Sequence, residues 1–408
     1  MYDICIIGGG VAGLSAAITI GEHDTNTILI DKNPKLGKKI YATGNGKCNL
    51  TNTNMDISSK YHSSYEGYVS FINDIMGASP LTRVKEFMLS IGIPTYDRDG
   101  YIYPASRQAS SVAWAMIDRA NISGIDIRCN AECTDIKKMG DHFEIVLDDE
   151  VIRAKRVIIA CGGKSYPSLG GSDKGYKLVT SLGDSLTDIR PALCGVITDD
   201  IPKTLSGVRV NAAARITNNK YDAVCEEYGE LQITDYGLSG IMIFNLSSLI
   251  GRMLSNNEKP VISINFIPDI SNEIIYDIYE KCPDRTITGL FNGFLNDKLV
   301  TYILQKACIN GKAKVKDISK NDIDRVIDIM SDVKFAVKDI KSYDQAQVCA
   351  GGVRLSDINP DTCESKRIKN LYYAGEIMDV DGVCGGYNIT YAILSGIKAG
   401  EACIYDKN

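Results

Sequence analysis

The residues with the most chemically specific spacing stand at the front of the chain. Gly8, Gly10 and Gly13 occur as G-x-G-x-x-G within Gly8-Gly9-Gly10-Val11-Ala12-Gly13, directly after the apolar run Asp3-Ile4-Cys5-Ile6-Ile7. Asp31 closes a second apolar run, Thr27-Ile28-Leu29-Ile30. A dinucleotide needs this pattern. Gly8 permits a tight turn out of a strand, Gly10 lets the backbone approach a pyrophosphate, and Gly13 allows the next helix to pack closely. The unpaired N–H groups of the first helical turn, Val11, Ala12 and Gly13, attract phosphate, and Asp31 accepts hydrogen bonds from a ribose. The motif alone does not separate NAD from FAD.

Three further segments do. Residues 37–52 form a run of glycine, amide and hydroxyl residues that supplies donors to a pyrophosphate and a flavin, with Lys39, Gly44, Asn45, Gly46, Lys47, Cys48, Asn49 and Thr51 as candidates. The strand Ile159-Ala160-Cys161-Gly162-Gly163 ends in glycines, which marks Ala160, Gly162 and Gly163. Near the end of the sequence, Gly375 and Glu376 lead to Gly386, Tyr387, Asn388 and a helix from Ile389. Glycines before a helix N-terminus can face a phosphate or the electron-rich edge of a flavin.

These segments, with residues 234–240 and 347–353, resemble the bacterial flavoprotein family that includes aminoacetone oxidase and the BaiN-type bile-acid-inducible proteins, along essentially the whole chain. The resemblance implies non-covalent FAD and a Rossmann-like domain, of the glutathione-reductase type, built from both ends of the chain. It implies an inserted β-barrel with a helical region. It also adds Lys32 and Cys133 to the expected FAD contacts. Two positions depart from the family pattern. Asp31 stands where many members have glutamate, which a ribose tolerates. Asp235 stands where many have histidine, which places histidine-based substrate chemistry there in doubt.

The elements that must hold these residues can be read from the apolar pattern. Residues 3–31 read as strand, turn, helix, strand, so the fold class is α/β. Helical spacing recurs over residues 70–91 and 110–121, strands fall at 125–129 and 143–147, and 157–160 has the fully apolar texture of a buried parallel strand. After residue 191, alternation at 208–216, 224–233 and 261–266 indicates an antiparallel or barrel-like insertion, and helical spacing dominates 273–330. The expected division is 1–190 with 345–408 as the FAD-binding domain, 191–270 as the β-barrel, and 271–344 as a helical subdomain.

Composition narrows the setting. The 45 basic and 51 acidic residues give a net charge of -6, so no global field draws nucleic acid or anionic lipid. Thirteen cysteines without a C-x-x-C pair read as reduced thiols. With no targeting segment and no stretch of about 18 apolar residues, the expectation is a cytoplasmic protein off the membrane. Cys129 and Cys133 lack further ligands, so no metal site is expected. His23, His62 and His142 fall outside every motif and read as surface or hairpin residues. Asp379 and Asp381 could be an acid/base pair or only a turn; Cys48 and Cys384 pack against the cofactor; Tyr166, Tyr236 and Tyr387 could orient a substrate. No side chain is assigned to catalysis, and the oligomeric state is left open.

The function expected from these residues is an FAD-dependent oxidoreductase that moves hydride between a small-molecule substrate and the flavin. Two alternatives stand beside it. One is flavin-dependent reduction of uridine in ribosomal RNA, which would need a basic stripe, for instance from Lys312, Lys314, Lys316, Lys320 and Arg325. The other is a non-catalytic flavin-binding protein. A single G-x-G-x-x-G leaves no second Rossmann site for a nicotinamide.

Overall fold

The computed structural model describes residues 1–199, 201–217 and 223–405. The last residues of the expected 345–408 segment, 406–408, lie outside the described residues, as do positions 200 and 218–222 of the insertion. The chain folds as two compact units, Met1–Arg190 with Gln347–Asn408, and Pro191–Ala346.

The first unit begins with strand β1 (Tyr2–Ile7), helix α1 (Val11–Ile20) and strand β2 (Thr27–Ile30). β1 is apolar on both faces because both are covered; Ile4, Cys5 and Ile6 are wholly buried. It pairs in parallel with β2, Ile4 opposite Thr27 and Ile7 opposite Ile30. On its other side lies the parallel strand Val151–Ile159, with Tyr2 opposite Ala154 and Ile7 opposite Ile159. Asp126–Arg128 adds in parallel outside β2.

Val151–Ile159 changes character half-way. From Val151 to Ala154 it pairs antiparallel with His142–Val146, and its residues alternate between exposed and buried. From Val157 to Ile159 it is buried on both faces, and Leu371–Tyr373 returns from the far end of the chain to pair along its edge in parallel. The sequence pattern marks this switch: alternation belongs to the half-solvated hairpin, and the continuous apolar run belongs to the doubly covered half.

The last helix, Tyr387–Tyr405, packs against α1. The contact needs glycine. A Cβ on Gly396 would lie 2.3 Å from the Ala12 carbonyl oxygen, and one on Gly400 would lie 3.0 Å from that of Ala16.

In the second unit, among the described residues, six strands close into a barrel. Around it the order is Val196–Thr198, Gly237–Ser239, Ala223–Ile233, Arg209–Thr217, Val261–Asn265 and Val333–Ile340. Two features differ from the sequence expectation. Val333–Ile340, inside the stretch 271–344 expected to be helical, is the strand that closes the barrel. Ile241–Ser255, inside the stretch 191–270 expected to be β, is a helix that buries Met242, Ile243, Leu246, Ile250 and Met253. Those residues recur at helical spacing, but they sit among alternating segments that set the local texture.

Gly13 tests how tightly the β1 turn is built. A Cβ there would lie 1.9 Å from the Gly8 carbonyl oxygen. Gly13→Ala should cost about 1 to 3 kcal/mol through forced displacement of the turn. The measurement is thermal unfolding, which should show a melting temperature several degrees lower; an unchanged value would mean the turn relaxes freely.

Candidate cofactor-binding site

Three groups of residues come together in the first unit, and each contains residues expected from the sequence. The first surrounds the β1–α1 turn. Gly8 has φ +108°, and a Cβ on it would meet the Ala160 carbonyl oxygen at 2.5 Å. A Cβ on Gly10 would meet nothing within 4 Å, so the backbone is bare on that side of the α1 N-terminus. No side chain caps that helix end. Together these leave the N–H groups of its first turn free for an anion.

Asp31 does more than wait for a ribose. Its Oδ2 accepts a hydrogen bond from Gly9 N–H at 2.7 Å, and its Oδ1 accepts from Asn33 N–H at 2.7 Å and Asn33 Nδ2 at 2.9 Å. A carboxylate offers about four acceptor positions, so these three bonds leave about one, on Oδ2, for a ribose hydroxyl. Beside it runs an open groove lined in part by Gly8, Asp31, Lys32, Asn33, Cys133 and Cys161. Burial pushes the Cys161 thiol up to about 12 and raises Cys133 as well, so both groove thiols are protonated at neutral pH. They contribute shape rather than charge.

The second group lies where residues 39, 163–165, 349 and 376 meet. Lys39 Nζ donates to Ser165 Oγ and Glu376 Oε2, each at 3.1 Å. Glu376 Oε1 accepts from Ser165 Oγ and from Cys349 N–H, each at 3.0 Å. A Cβ on Gly163 would fall 2.5 Å from Glu376 Oε1, so the glycine makes room for the carboxylate. Gly162, with φ +69°, turns the chain out of the strand just before it. Gly375, the residue before Glu376, is fixed by a 3.0 Å hydrogen bond from its N–H to Ser395 Oγ on the last helix.

The third group is the start of that helix and the irregular segment after Lys39. Gly44, Asn45, Gly46 and Cys48 all have φ between 54° and 80°. Gly44, Asn45, Gly46 and Lys47 are exposed, whereas Cys48, Asn49 and Thr51 are buried. The Cys48 thiol is pushed up to about 11 by burial, which suits a packing role and not a nucleophile. A Cβ on Gly386 would lie 2.7 Å from Thr51 N and 3.0 Å from Asn49 Oδ1. Asn49 Oδ1 is buried with no hydrogen-bond partner among the described residues. Such an orphaned acceptor is costly unless a ligand satisfies it. Tyr387 is buried, its hydroxyl donates to the Asn54 carbonyl at 2.8 Å, and burial pushes its phenol up to about 12. Asn388 holds Gly382 through two hydrogen bonds, accepting at 2.9 Å and donating at 2.7 Å. Ile389 is partly buried and packs on the core.

With the geometry in place, the comparisons are direct. The HI0933-like protein Rossmann domain matches residues 2–402. The chain belongs to the HI0933-like family. It is 34% identical to the 3-dehydro-bile acid delta(4,6)-reductase of Clostridium scindens over 98% of this chain and 99% of that one. It is 26% identical to the ribosomal RNA dihydrouridine synthase of Escherichia coli over 100% of this chain and 99% of that one. Among solved structures, 3-ketosteroid delta1-dehydrogenase from Sterolibacterium denitrificans superposes with a TM-score of 0.51 at 11% identity, covering 100% of both chains, which is a likeness of fold. Members of the HI0933-like family are FAD-dependent oxidoreductases, and so is this chain. Among the described residues no helix is long and apolar enough to cross a membrane.

Several site residues were not legible in the sequence. Asn33 lies next to the motif residues and binds Asp31 two positions away, whereas Ser165 meets Lys39 and Glu376 far along the chain. Tyr61, His62, Ser63 and Ser64 lie in no motif at all, yet they are bound to residues 379–387. His62 in particular is no isolated surface residue, since it stands opposite Asp381 in a two-stranded sheet. Asp379 and Asp381 each have partners of their own on residues 62–64. The signal available was a polar run, His62-Ser63-Ser64, between two helices.

Removing the Asp31 carboxylate should weaken FAD binding by about 1.5 to 3 kcal/mol, equivalent to about tenfold to a hundredfold in affinity. Asp31→Ala also frees Gly9 N–H, so part of the loss comes from the turn. The check is fluorescence titration of flavin-free protein with FAD; unchanged affinity would show that Asp31 serves the turn alone.

Proposed function

We propose that this protein reduces a carbon–carbon double bond conjugated to a ketone in an apolar polycyclic small molecule of the steroid type, with FAD carrying the hydride. The observation that supports this most is the 34% identity, along essentially the full length of both chains, to a reductase named for the delta(4,6) bonds of a 3-dehydro-bile acid. Solved structures of the same fold add no substrate information at their low identity.

The residues present fit the cofactor. In this reading Gly8, Gly10, Val11, Ala12 and Gly13 hold the pyrophosphate at the α1 N-terminus, and Asp31 takes the adenosine ribose. Lys32, Ala160, Gly162 and Cys133 border the adenine side. Lys39, Gly163, Gly375 and Glu376 flank the ribityl chain. Gly44, Asn45, Gly46, Lys47, Cys48, Asn49, Thr51, Gly386, Tyr387, Asn388 and Ile389 cradle the flavin. Asn49 Oδ1, buried without a partner, would accept a hydrogen bond from the bound ring, and the helix N-terminus would favour negative charge there. FAD supplies the two-electron chemistry, and the chain positions it and excludes water.

The reading of this chain as an RNA-modifying enzyme draws on the 26% relative. Four of the five cations of the basic run that it would use have partners. Lys316 Nζ lies 2.8 Å and Lys314 Nζ 3.8 Å from Asp284, Lys320 sits 4.9 Å over the Tyr276 ring, and Arg325 pairs with Asp322. A phosphate backbone is better served by cations without acidic partners. Small-molecule reduction is therefore the favoured reading.

The protein should be yellow and should release FAD, not FMN, on denaturation. Photoreduced protein mixed anaerobically with a 3-oxo-4,6-diene bile acid should regain its oxidised flavin spectrum and yield the reduced steroid. A ribosomal RNA fragment should not reoxidise it. Reoxidation by the RNA alone would reverse the assignment.

The single G-x-G-x-x-G makes a further outcome specific. NADH and NADPH should reduce the flavin slowly and without tight saturation, because the sequence holds no second G-x-G-x-x-G to anchor a nicotinamide dinucleotide. Anaerobic stopped-flow absorbance checks this; fast reduction with saturation at micromolar concentration would demand a second nucleotide site.

A further inference from the structure

Residues 60–64 and 379–383 are separated by more than three hundred positions, yet they form one clamp. His62 lies across from Asp381 and Tyr61 across from Gly382, and Val383 N–H donates to the Lys60 carbonyl at 3.0 Å. Asp379 Oδ2 is fully engaged, accepting from Ser63 Oγ and Ser64 N–H at 3.1 Å each and from Ser64 Oγ. Asp381 is not. It is 2% exposed, and its Oδ2 has no hydrogen-bond donor among the described residues. The group facing that oxygen is the imidazole of His62, whose Nδ1 stands 3.6 Å away and is likewise without a hydrogen bond.

A buried carboxylate oxygen without a donor is costly, and an imidazole N–H is the group in place to satisfy it. The His62 side chain is 30% exposed, so one ring nitrogen faces the carboxylate while part of the ring remains open. That is the arrangement in which histidine carries protons. The clamp is fastened to the start of the last helix. Gly382 is held at both its N–H and its carbonyl by Asn388, and Tyr61 donates its hydroxyl to the Tyr387 carbonyl at 2.9 Å.

We propose that His62 carries the proton that accompanies hydride transfer, and that Asp381 positions it. The proposal rests on the reading of the chain as a flavin-dependent reductase. In that reaction the enone accepts hydride, with its two electrons, at its β-carbon, and the carbon–carbon π pair moves towards the carbonyl. The α-carbon must then gain a proton. His62 delivers it from the nitrogen remote from Asp381, and solvent returns a proton to the ring. One hydride and one proton complete the reduction.

The test has two parts. The chain has three histidines, so histidine-labelled protein gives three imidazole signals, and His62→Gln identifies which belongs to His62. Titrating flavin-free protein with FAD should move that signal and leave those of His23 and His142 in place; a His62 signal indifferent to FAD overturns the proposal whatever the substrate. In the second part, photoreduced wild type, His62→Gln and Asp381→Asn are mixed with a 3-oxo-4,6-diene bile acid, dioxygen or ferricyanide. Both variants should be slowed about a hundredfold with the steroid. They should also be slower with dioxygen, whose reduction to hydrogen peroxide consumes a proton. With ferricyanide, which takes electrons alone, they should match wild type. A variant slowed equally with all three oxidants, or with none, overturns the proposal. If wild type leaves the steroid unchanged, the substrate reading falls, and the FAD titration with the dioxygen comparison still decides the role of His62.

Discussion

The cofactor-binding unit depends on one strand accepting three partners. Val151–Ile159 takes β1 along one edge; along the other it takes a hairpin strand for its first half and Leu371–Tyr373 for its second. The shared edge is what lets a unit interrupted by 156 residues of insertion close into a single sheet. The turn that follows this strand also shapes the nucleotide turn, because the Ala160 carbonyl fills the space that a side chain at position 8 would need. Register here sets the position of Gly8 and, through Leu371–Tyr373, the position of Gly375 and Glu376. A one-residue slip would turn every buried side chain of the strand to the opposite face.

What the sequence disclosed and what it concealed divide along a physical line. The β1–α1–β2 segment was legible because strand, turn, helix and Asp31 are all local, and periodicity reports local geometry. The glycines of residues 375–386 were legible as turn residues. Their partners were not. Glu376 meets Lys39 across 337 positions, and Asp379 meets Ser63 across 316, and no periodicity spans such distances. The barrel strand Val333–Ile340 was hidden for a related reason. It follows the helix Lys320–Ser331 almost without a break, so a window placed there averages two periods. His62, which reads from the sequence as a surface or hairpin residue, faces a carboxylate on a distant segment that no local pattern reveals.

The polar groups around the cradle are held in specific protonation states by burial rather than by partner charges alone. Burial raises the thiols of Cys48, Cys133, Cys161 and Cys349 and the phenols of Tyr61, Tyr387 and Tyr391, keeping them neutral at physiological pH. Burial also raises Asp379, although Ser63 and Ser64 oppose the rise by donating to its ionised form. A flavin held in this cradle would be surrounded by neutral thiols and phenols whose orientation is set by folding.

The close packing of the first and last helices has a metric consequence. Ala12 meets Gly396 and Ala16 meets Gly400, so both numbers climb together and the helices run parallel. Tyr387 precedes Gly396 by nine residues, whereas Val11 precedes Ala12 by one. At about 1.5 Å per residue, the two N-termini are staggered by about 12 Å along a common direction. Two positive helix ends, offset by a fixed length and held rigid by glycine, act as a ruler. Under the proposed placement, the ligand would have to reach both, with an anionic group at one end and an electron-accepting ring at the other. A mononucleotide flavin carries its phosphate at the end of its ribityl chain and lacks the adenylate that would lodge beside Asp31. In the proposed placement of FAD, the helix pair would select by length as well as by charge.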